Sequence, residues 1–338
     1  MTHTKKIYII AEAGVNHNGS LNLAKKLILT AKKCGADAVK FQIFNKREQI
    51  SDIAPTAPYQ NKNTKKKSML KMADKYDFKW ENHIILKKLC DKIGIDYMAS
   101  CFDKTSVDFY KNILKVKTLK IASSEIDNLR LLKYVNKKFK KVILSTGMSN
   151  INEIFRGIKC LNKVDKLYLM QCTSLYPTEL NEVNLNVLAE FKKKFKLPIG
   201  FSDHTFSNIA SIVSVGFGVE LIEKHLTLNN SLQGPDHKMS LNPLNFKKFV
   251  SEIRNAEKTL GNYLKNPSRE EKKMIKFSRR GLFASTNIEK GTKIQEKHIS
   301  YKRPSNFLPI SFEKKIIGKK LKKSILKNEP FKKTYFNE

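Results

Sequence analysis

The sequence predicts an α/β fold, a TIM (β/α)8 barrel followed by a small C-terminal domain rich in β-strands. Three observations carry this prediction. Short runs of β-branched residues alternate with longer amphipathic segments, eight strand candidates precede residue 261, and the character of the chain changes beyond that point. Eight strand–helix units in about 260 residues are typical of a TIM barrel. An open doubly wound sheet is the alternative, but it would usually have fewer strands and a glycine-rich first turn.

The eight barrel strands are predicted from their apolar runs. In chain order these runs are IYIIAEAG, AVKFQIF, DYMASCF, TLKIASS, KVILSTG, KLYLMQCT, PIGFSD and LIEKHLT. Most of them lead into a segment whose apolar residues recur at helical spacing. The first such segment, LNLAKKLILTAKKCG, stops at Gly35, and the last, NPLNFKKFVSEIRNAEKTLG, stops at Gly261. Between the second strand and the helical FKWENHIILKKLCDKIG lies a polar stretch from Asn45 to about Asp77.

The domain boundaries follow from the change in composition. Residues 1–261 form the predicted barrel. Residues 262–280 are polar and charged and lack apolar periodicity, so they are predicted to be a linker. Residues 281–338 contain short strand candidates and a glycine-containing turn but no long helix, which predicts a small β-rich domain.

The net charge of +34 raises the question of a nucleic-acid partner. However, 57 of the 65 basic residues are lysines, and they are spread over every helix-like segment. Proteins that recognise base edges rely on arginine, whose planar guanidinium makes paired hydrogen bonds. We therefore predict solvated lysine-rich surfaces and no nucleic-acid partner, with a positive field that favours an anionic substrate.

The distribution of apolar residues and cysteines indicates the cellular compartment in which the protein is expected. The chain has no run of eighteen or more apolar residues, and its N-terminal apolar stretch is too short for a signal peptide. Its five cysteines form no CxxC pair. We expect a cytoplasmic protein with reduced thiols and no membrane partner.

Polar residues stand at the end of every predicted strand, where a TIM barrel carries its chemistry. The strand-end set and the segments that follow contain Glu12, Lys40, Gln42, Ser100, Lys120, Ser123, Glu125, Ser145, Ser174, Tyr176, Ser202, His204, Glu223 and His225. Lys40 and Lys120 lie within apolar strand segments, and a buried lysine there needs an anionic partner. The alternative for each lysine is a side chain whose amine reaches solvent. Together with the serines, these lysines predict a cradle for phosphate or carboxylate.

Two histidines end neighbouring strands. A lone histidine at such a position is more often a hydrogen-bonded core residue than a metal ligand. His204 and His225 occupy matched positions on adjacent strands, which favours one shared metal ion with open coordination positions. Two imidazoles suit manganese, iron, cobalt or zinc. Asp236 follows in a loop predicted to lie over this site.

These residues belong to stretches that are similar to a known family. The stretches are AEAGVNHNGS, AVKFQIF, KIASSE, ILSTGM, TSLYPT, GFSDHT, IEKHLTL, GPDHKMSL and KRP, and they cover nearly the whole chain in the family's order. The sequence resembles the sialic acid synthase family, which comprises bacterial N-acetylneuraminate synthases and their legionaminate and pseudaminate relatives. The resemblance implies a TIM barrel with a C-terminal antifreeze-like (SAF, β-clip) domain, assembled as a domain-swapped homodimer.

The resemblance also implies substrates and roles. The substrates would be phosphoenolpyruvate and an N-acetylated mannosamine-type sugar, condensed with release of phosphate. A divalent metal, usually Mn²⁺ with Mg²⁺ or Co²⁺ as alternatives, would bind His204 and His225, and Glu12 would lie near the reacting carbon. Phosphoenolpyruvate would contact Lys40, Ser100, Lys120, Ser123, Ser145 and Ser202. The sugar would be surrounded by Gln42, Glu125, Tyr176 and Asp236, with Ser174 as a further substrate-binding residue and Arg303 inserted from the partner subunit's small domain.

The function that follows is an N-acetylneuraminate synthase, condensing phosphoenolpyruvate with N-acetylmannosamine and water for surface polysaccharide biosynthesis. The alternative is a legionaminate synthase that uses a 2,4-diacetamido-2,4,6-trideoxymannose. An inactive barrel that binds carbohydrate or nucleic acid is an alternative of a different class. A decayed enzyme would have lost some of the strand-end residues, and this chain retains them, so we predict an active enzyme.

Overall fold

The computed structural model describes residues 6–336 of the chain. These residues form two compact units, of which the first ends at Asn262 and the second begins at Tyr263. The first unit contains the predicted barrel, a closed ring of eight parallel strands in which β1 pairs with both β2 and β8. The strands are β1 Tyr8–Gly14, β2 Ala38–Ile43, β3 Asp96–Cys101, β4 Thr118–Ile121, β5 Lys141–Ser145, β6 Lys166–Cys172, β7 Ile199–Asp203 and β8 Leu221–His225.

The interior of the barrel is layered because side chains alternate along each strand. A lower layer is apolar and consists of Ile10, Ala38, Met98, Ile143, Tyr168, Met170 and Leu221. Two residues further along the same strands, the inward positions become polar, as in Glu12, Lys40, Ser100, Ser145 and Glu223. The alternation therefore places an apolar plug beneath a polar site at the carboxyl ends of the strands.

Gly200 on β7 shows how tightly this interior is packed. A Cβ atom at this position would lie 2.9 Å from Met170 Cγ and 3.0 Å from Leu221 Cβ. Those distances are shorter than ordinary carbon–carbon contacts, so a larger residue would force the neighbouring strands apart. The glycine allows β7 to pack against the apolar plug.

Helices surround the barrel and bury a continuous apolar layer against the outer faces of the strands. The helices that follow the strands are α1 Leu21–Cys34, α5 Trp80–Ile93, α6 Lys104–Asp108, α7 Leu129–Asn136, α8 Ile151–Cys160, α9 Asn186–Phe195, α10 Ile209–Gly216 and α11 Pro243–Thr259. A π-helical turn at Phe109–Ile113 continues α6. Short 3₁₀ turns occur at Ser123–Glu125, Leu180–Glu182 and His237–Met239. The predicted stop at Gly35 is a helix C-cap in the left-handed region, where glycine is favoured, and Gly94 ends α5 in the same way.

The polar stretch after β2 folds into three short helices, α2 Lys46–Gln49, α3 Pro58–Thr64 and α4 Met69–Lys75. Ser68 caps α4, and Leu70, Met72 and Ala73 bury the apolar face of this helix. The amide of Asn63 on α3 donates a hydrogen bond of 2.8 Å to the carbonyl oxygen of Pro235. This contact attaches the connection between β2 and α5 to the loop that follows β8. We call residues 45–77 the cap connection.

The second unit contains α12 Arg269–Ser278, β9 Gly281–Ala284, β10 Ile299–Lys302 and α13 Glu313–Ile316. Strands β9 and β10 are antiparallel, and 3₁₀ turns form at Glu296–His298, Ile310–Phe312 and Lys333–Tyr335. Its core is separate and apolar, formed by residues such as Leu282, Ile294, Leu321, Ile325 and Phe331.

Helix α12 lies inside the segment that the sequence predicts to be a linker, residues 262–280. The helix forms because Ser268 accepts a hydrogen bond from the backbone of Glu271, whose carboxylate in turn accepts from the backbone of Ser268. This reciprocal capping box stabilises a helix start without any apolar periodicity. No residue of α12 is buried, so this helix has no need of the apolar periodicity that predicts a helix from sequence.

Two sequence expectations concern the whole chain. All five cysteines are free thiols, in agreement with the absence of a disulfide framework. Among residues 6–336, every helix is too short or too polar to span a lipid bilayer.

Candidate active site

A cavity of about 480 Å³ opens at the carboxyl ends of the barrel strands. Its charged and polar lining comes from strand ends and the loops that follow them: Glu12, Lys40, Gln42, Ser100, Lys120, Ser123, Ser145, Ser174, Tyr176, Ser202, His204, Glu223, His225 and Asp236. A second, mostly apolar part of the lining comes from the cap connection, with the apolar and aromatic residues Ile50, Ala57, Tyr59, Met69, Met72, Ala73 and Tyr76 and the polar residues Gln49 and Gln60. The barrel therefore brings most of the predicted site residues together in one cavity.

Four buried charges form the floor of this cavity. Lys40 Nζ lies 2.8 Å from Glu12 Oε2 and 3.6 Å from Glu223 Oε2. Lys120 Nζ donates to both carboxylate oxygens of Glu223, at 2.9 and 3.0 Å. Each of the four side chains is at most 5% exposed. The anionic partners that two buried lysines require are thus provided by Glu12 and Glu223.

The surroundings change the pKa values of these groups. Burial raises the pKa of Glu12 to about 7, although the neighbouring Lys40 opposes the shift. Burial also acts on Glu223, but Lys120 and Lys40 hold the pKa of its carboxyl group well below the usual range. Burial lowers the pKa of the Lys120 amine, and Glu223 only partly offsets that shift. Glu12 is therefore the carboxylate that can exchange a proton near neutral pH.

The predicted serines surround the lysines. Ser100 Oγ accepts a hydrogen bond of 3.2 Å from Lys40 Nζ, and Ser202 Oγ donates to Glu223 Oε1 at 3.0 Å. Ser123 Oγ accepts from the backbone N–H of Gly147 at 2.9 Å. Ser145 Oγ is buried and has no hydrogen-bond partner among the described residues. An unpartnered buried hydroxyl in the cavity that the two lysines also line is well placed to donate to a bound anion.

The two histidines lie side by side, with ring centroids 5.4 Å apart. His204 Nδ1 lies 2.7 Å from the carbonyl oxygen of Thr173, which can only accept, so Nδ1 carries a proton, and Nε2 lies 3.5 Å from Ser202 Oγ. Burial lowers the pKa of His204, but Cys172 and the Thr173 carbonyl outweigh burial and raise this pKa above its usual value. His225 Nδ1 is buried and has no hydrogen-bond partner among the described residues. Burial and the neighbouring His204 hold the pKa of His225 well below its usual value, so the ring is neutral. Neutral imidazoles are the form that binds metals.

These two imidazoles fit a metal site that is open on one side. Within residues 6–336, no group of three or more His, Cys, Asp or Glu side chains is arranged to hold a metal ion. An ion at this position would therefore have two protein ligands and would take its remaining ligands from water or substrate. The hydrogen bond from His204 Nδ1 to Thr173 is the outer-shell contact that usually orients a metal-binding imidazole.

The sugar-binding candidates divide by position. The ring of Tyr176 packs on His204 with centroids 4.2 Å apart and on Tyr59 of the cap connection at 5.1 Å. Asp236 is buried in the cavity wall, and burial raises the pKa of its carboxyl group to about 6. Gln42 and Ser174 also line the cavity.

Glu125 and Arg303 are located differently. Glu125 is not among the cavity-lining residues of the described barrel, because its carboxylate turns aside to accept hydrogen bonds from Ser124 Oγ and Asn128 Nδ2. This orientation follows from the 3₁₀ turn at Ser123–Glu125, which presents Ser123 and Ser124 to the cavity instead. Arg303 belongs to the second unit, where its Nε donates to the carbonyl oxygen of Ser278 at 2.8 Å.

Sequence reasoning missed two parts of the site. Glu223 was recognised as a strand-end residue but was given no role, although its carboxylate joins Lys40, Lys120 and Ser202. The cap connection was interpreted as a polar stretch. Its apolar residues Met69, Met72 and Ala73 stand at helical spacing after Ser68, and that pattern could have predicted α4.

Comparisons with known proteins agree with this geometry. The sequence model of the NeuB family matches residues 27–265, and that of the SAF domain matches residues 279–335. The chain is 42% identical over 330 residues to an N,N'-diacetyllegionaminic acid synthase of Campylobacter jejuni, covering 96% of this chain and 98% of that protein. It is 38% identical to the N,N'-diacetyllegionaminic acid synthase of Legionella pneumophila, covering 93% of this chain and 90% of that protein.

A solved structure supports the same architecture. The crystal structure of an N-acetylneuraminic acid (sialic acid) synthetase from Leptospira borgpetersenii, in complex with citrate, superimposes with a TM-score of 0.71 at 32% identity. The match covers 80% of this chain and 91% of that chain.

Proposed function

The chain belongs to the NeuB family, and from that membership we propose that it is a legionaminate synthase. The reaction would join phosphoenolpyruvate, water and 2,4-diacetamido-2,4,6-trideoxymannose to give N,N'-diacetyllegionaminic acid and inorganic phosphate. The sequence alone favoured N-acetylmannosamine as the sugar, with the diacetamido sugar as the alternative. The two relatives described above match 96% and 93% of this chain, and both are N,N'-diacetyllegionaminic acid synthases, which favours the alternative.

The observation that carries this proposal is the apolar wall of the cavity. Ile50, Ala57, Met69, Met72 and Ala73 from the cap connection line the same cavity as the charged strand ends. N-acetylmannosamine has hydroxyl groups at C4 and C6. The diacetamido sugar has an acetamido methyl and a deoxy methyl at these positions, and each buried methyl group stabilises binding by about 0.8 kcal/mol. An apolar wall therefore suits the diacetamido sugar better.

Phosphoenolpyruvate would bind at the charged floor. Lys40 and Lys120 are held in place by Glu12 and Glu223 before any substrate arrives, so little reorganisation is needed. The free hydroxyl of Ser145 and the hydroxyl groups of Ser100 and Ser123 would donate to the phosphate or carboxylate.

A divalent metal, for which we propose Mn²⁺, would be held by His204 Nε2 and by His225. When bound there, such an ion supplies Lewis acidity that polarises the sugar aldehyde. The contribution of the chain is to present two imidazoles whose ring centroids are 5.4 Å apart, with His204 oriented by Thr173.

Glu12 is the proposed proton carrier. Its carboxylate is buried beside Lys40, and burial raises its pKa to about 7. A carboxylate with that pKa can accept the proton of the water that adds to C2 of the phosphoenolpyruvate unit and can later return a proton. Phosphate leaves as the C2 carbonyl group forms.

The second unit completes the proposal. We infer a homodimer in which each small domain brings Arg303 to the cavity of its partner. Arg303 already makes a hydrogen bond through Nε, which leaves the terminal guanidinium nitrogens for an oxygen ligand.

A sugar panel tests the proposed function. Release of phosphate from phosphoenolpyruvate is measured with N-acetylmannosamine and with 2,4-diacetamido-2,4,6-trideoxymannose. We expect kcat/KM to be about tenfold or more higher for the diacetamido sugar, since small differences in apolar groups discriminate by roughly 10- to 200-fold. A preference for N-acetylmannosamine would assign the chain to N-acetylneuraminate synthesis, and no phosphate release with either sugar would contradict the proposal as a whole.

A further inference from the structure

We propose that a buried ion pair on the outer side of the barrel, Asp203–Lys224, is a positioning device for the two histidines. This inference rests on the proposed metal site at His204 and His225. Asp203 precedes His204 on the chain, and Lys224 precedes His225. Because successive side chains of a strand point to opposite faces, the pair lies directly behind the two imidazoles.

Both side chains of this ion pair also make hydrogen bonds to neighbouring residues. Lys224 Nζ lies 3.0 Å from Asp203 Oδ2, and the two side chains are 2% and 0% exposed. The same amine donates to the carbonyl oxygens of Thr205 at 2.5 Å and of Ser207 at 3.1 Å. Asp203 accepts from the backbone of Thr205 at 2.8 Å and from Ser211 Oγ of α10 at 2.6 Å. Every one of these bonds holds the turn that begins at the carboxyl end of β7.

The network determines where the His204 backbone lies relative to β8. Asp203 and Lys224 are directly opposite each other in the β7–β8 register, so their ion pair connects the two strands at the last residue before each histidine. The backbone on the other side of His204 is held through Thr205, which both charged side chains contact. The separation of the two rings follows from this connection and from the hydrogen bond between His204 and Thr173.

Stability alone does not account for a buried ion pair here. Removing two charges from water is unfavourable, and apolar residues of similar volume often stabilise a fold as well or better. Hydrogen bonds are directional, whereas apolar contacts are not. An ion pair with further hydrogen bonds to Thr205, Ser207 and Ser211 therefore fixes the relative position of the two strand ends more narrowly than an apolar contact would. A metal site with two protein ligands depends on such precision, because no third ligand corrects a misplaced imidazole.

The test uses the variant Asp203→Asn/Lys224→Met in the full chain. It removes both charges and keeps similar side-chain lengths, and the amide at position 203 can accept from the backbone N–H of Thr205 and donate to Ser211 Oγ, so we expect it to fold. Binding of Mn²⁺ to metal-free protein is measured by titration calorimetry, and we expect a Kd about tenfold or more above wild type, the usual effect of losing an outer-shell partner. A folded double variant that binds Mn²⁺ with wild-type affinity would overturn the proposal.

Two further proteins complete the test. If the double variant does not fold, Asp203→Asn/Lys224→Gln decides, since it also leaves no unpaired buried charge and its amide at position 224 can still donate to a backbone carbonyl oxygen, and wild-type affinity in that variant overturns the proposal equally. The matched control is Arg254→Met, which breaks the partly buried ion pairs of Arg254 with Asp37 and Glu257. Asp37 precedes β2 at the opposite end of the barrel, so we expect a lower melting temperature and an unchanged Kd.

Failure of the metal site itself gives a different result. His204→Ala and His225→Ala should each abolish tight Mn²⁺ binding. If wild type binds no Mn²⁺, or if these variants bind it normally, the proposed metal site is wrong and the positioning role falls with it. If only the histidine variants lose binding while the double variant keeps it, the metal site stands and the positioning role alone is wrong.

Discussion

Individual residues in the charged floor have separable roles. Lys40 and Lys120 would both contact phosphoenolpyruvate, and neither belongs to the apolar wall where the sugar is proposed to lie. Lys40→Met should raise the KM for phosphoenolpyruvate about ten- to a hundredfold, because it removes a charge-assisted hydrogen bond worth roughly 1.5–3 kcal/mol. The KM for the sugar should change far less. Initial-rate kinetics with each substrate varied in turn measure both values.

The control for this experiment is Lys141→Met. Lys141 begins β5 at the opposite end of the barrel, so both KM values should stay at the wild-type level. A change confined to the sugar KM in Lys40→Met would show that Lys40 does not bind phosphoenolpyruvate.

Two other residues link the barrel's stability to pH. The rings of His17 and His83 pack on Phe78 with centroids 4.2 and 4.9 Å away. Burial lowers the pKa of His17 from 6.5 to about 4 and that of His83 from 6.5 to about 3. As the pH falls below 6.5, the unfolded chain takes up these protons first, so stability is present above that pH and is lost below it.

The effect has an expected size. Between about pH 7 and about pH 5, each histidine should lower the free energy of unfolding by about 2 kcal/mol. His83→Gln removes one titrating group, and its urea midpoint should therefore fall less over this pH range than that of wild type. Equal pH dependence in the two proteins would show that His83 is not a buried neutral histidine.

At the scale of elements, the cap connection is the part of the cavity that we propose to select the sugar. Helix α4 buries Met72 at the cavity wall, and Tyr59 of α3 stacks on Tyr176. Met72→Gln keeps nearly the same volume but replaces an apolar contact with an amide. We expect the KM of the diacetamido sugar to rise about tenfold, while the KM of phosphoenolpyruvate stays unchanged.

N-acetylmannosamine is the internal control for this variant. The apolar contact that Met72→Gln removes is proposed to matter for the additional acetamido and deoxy methyl groups. The ratio of kcat/KM values for the two sugars should therefore shift towards N-acetylmannosamine. A parallel loss with both sugars would mean that α4 supports the cavity without distinguishing between them.

At the scale of the whole molecule, the proposed dimer predicts complementation. With phosphoenolpyruvate at the wild-type KM, Arg303→Ala chains and Lys40→Met chains should each have little activity. In a mixed dimer with exchanged small domains, one cavity has both the intact Lys40 and the partner's intact arginine, so mixing should restore part of the activity. Mixed populations are assayed after subunit exchange, which is followed by native mass spectrometry of differently tagged chains. Exchange without any recovery would place Arg303 in the cavity of its own chain or outside any cavity.

The sequence by itself determined the barrel and most of its polar rim. Eight apolar runs with alternating polar ends encode eight strands, and parallel strands in a closed ring must bring those ends together. For this reason Lys40, Lys120, His204 and His225 could be predicted as neighbours before their contacts were seen. The family followed from the same strand-end motifs.

Only the tertiary structure decided how these groups pair and what covers them. That Glu223 joins the two lysines and that Asp203 meets Lys224 behind the histidines depends on side-chain directions across strands distant in sequence. That Glu125 turns aside to Asn128 depends on the local 3₁₀ turn that follows β4. The cap connection and α12 escaped prediction for a related reason. Short helices are stabilised by caps and tertiary packing, and neither leaves the long periodic pattern by which helices are recognised in a sequence.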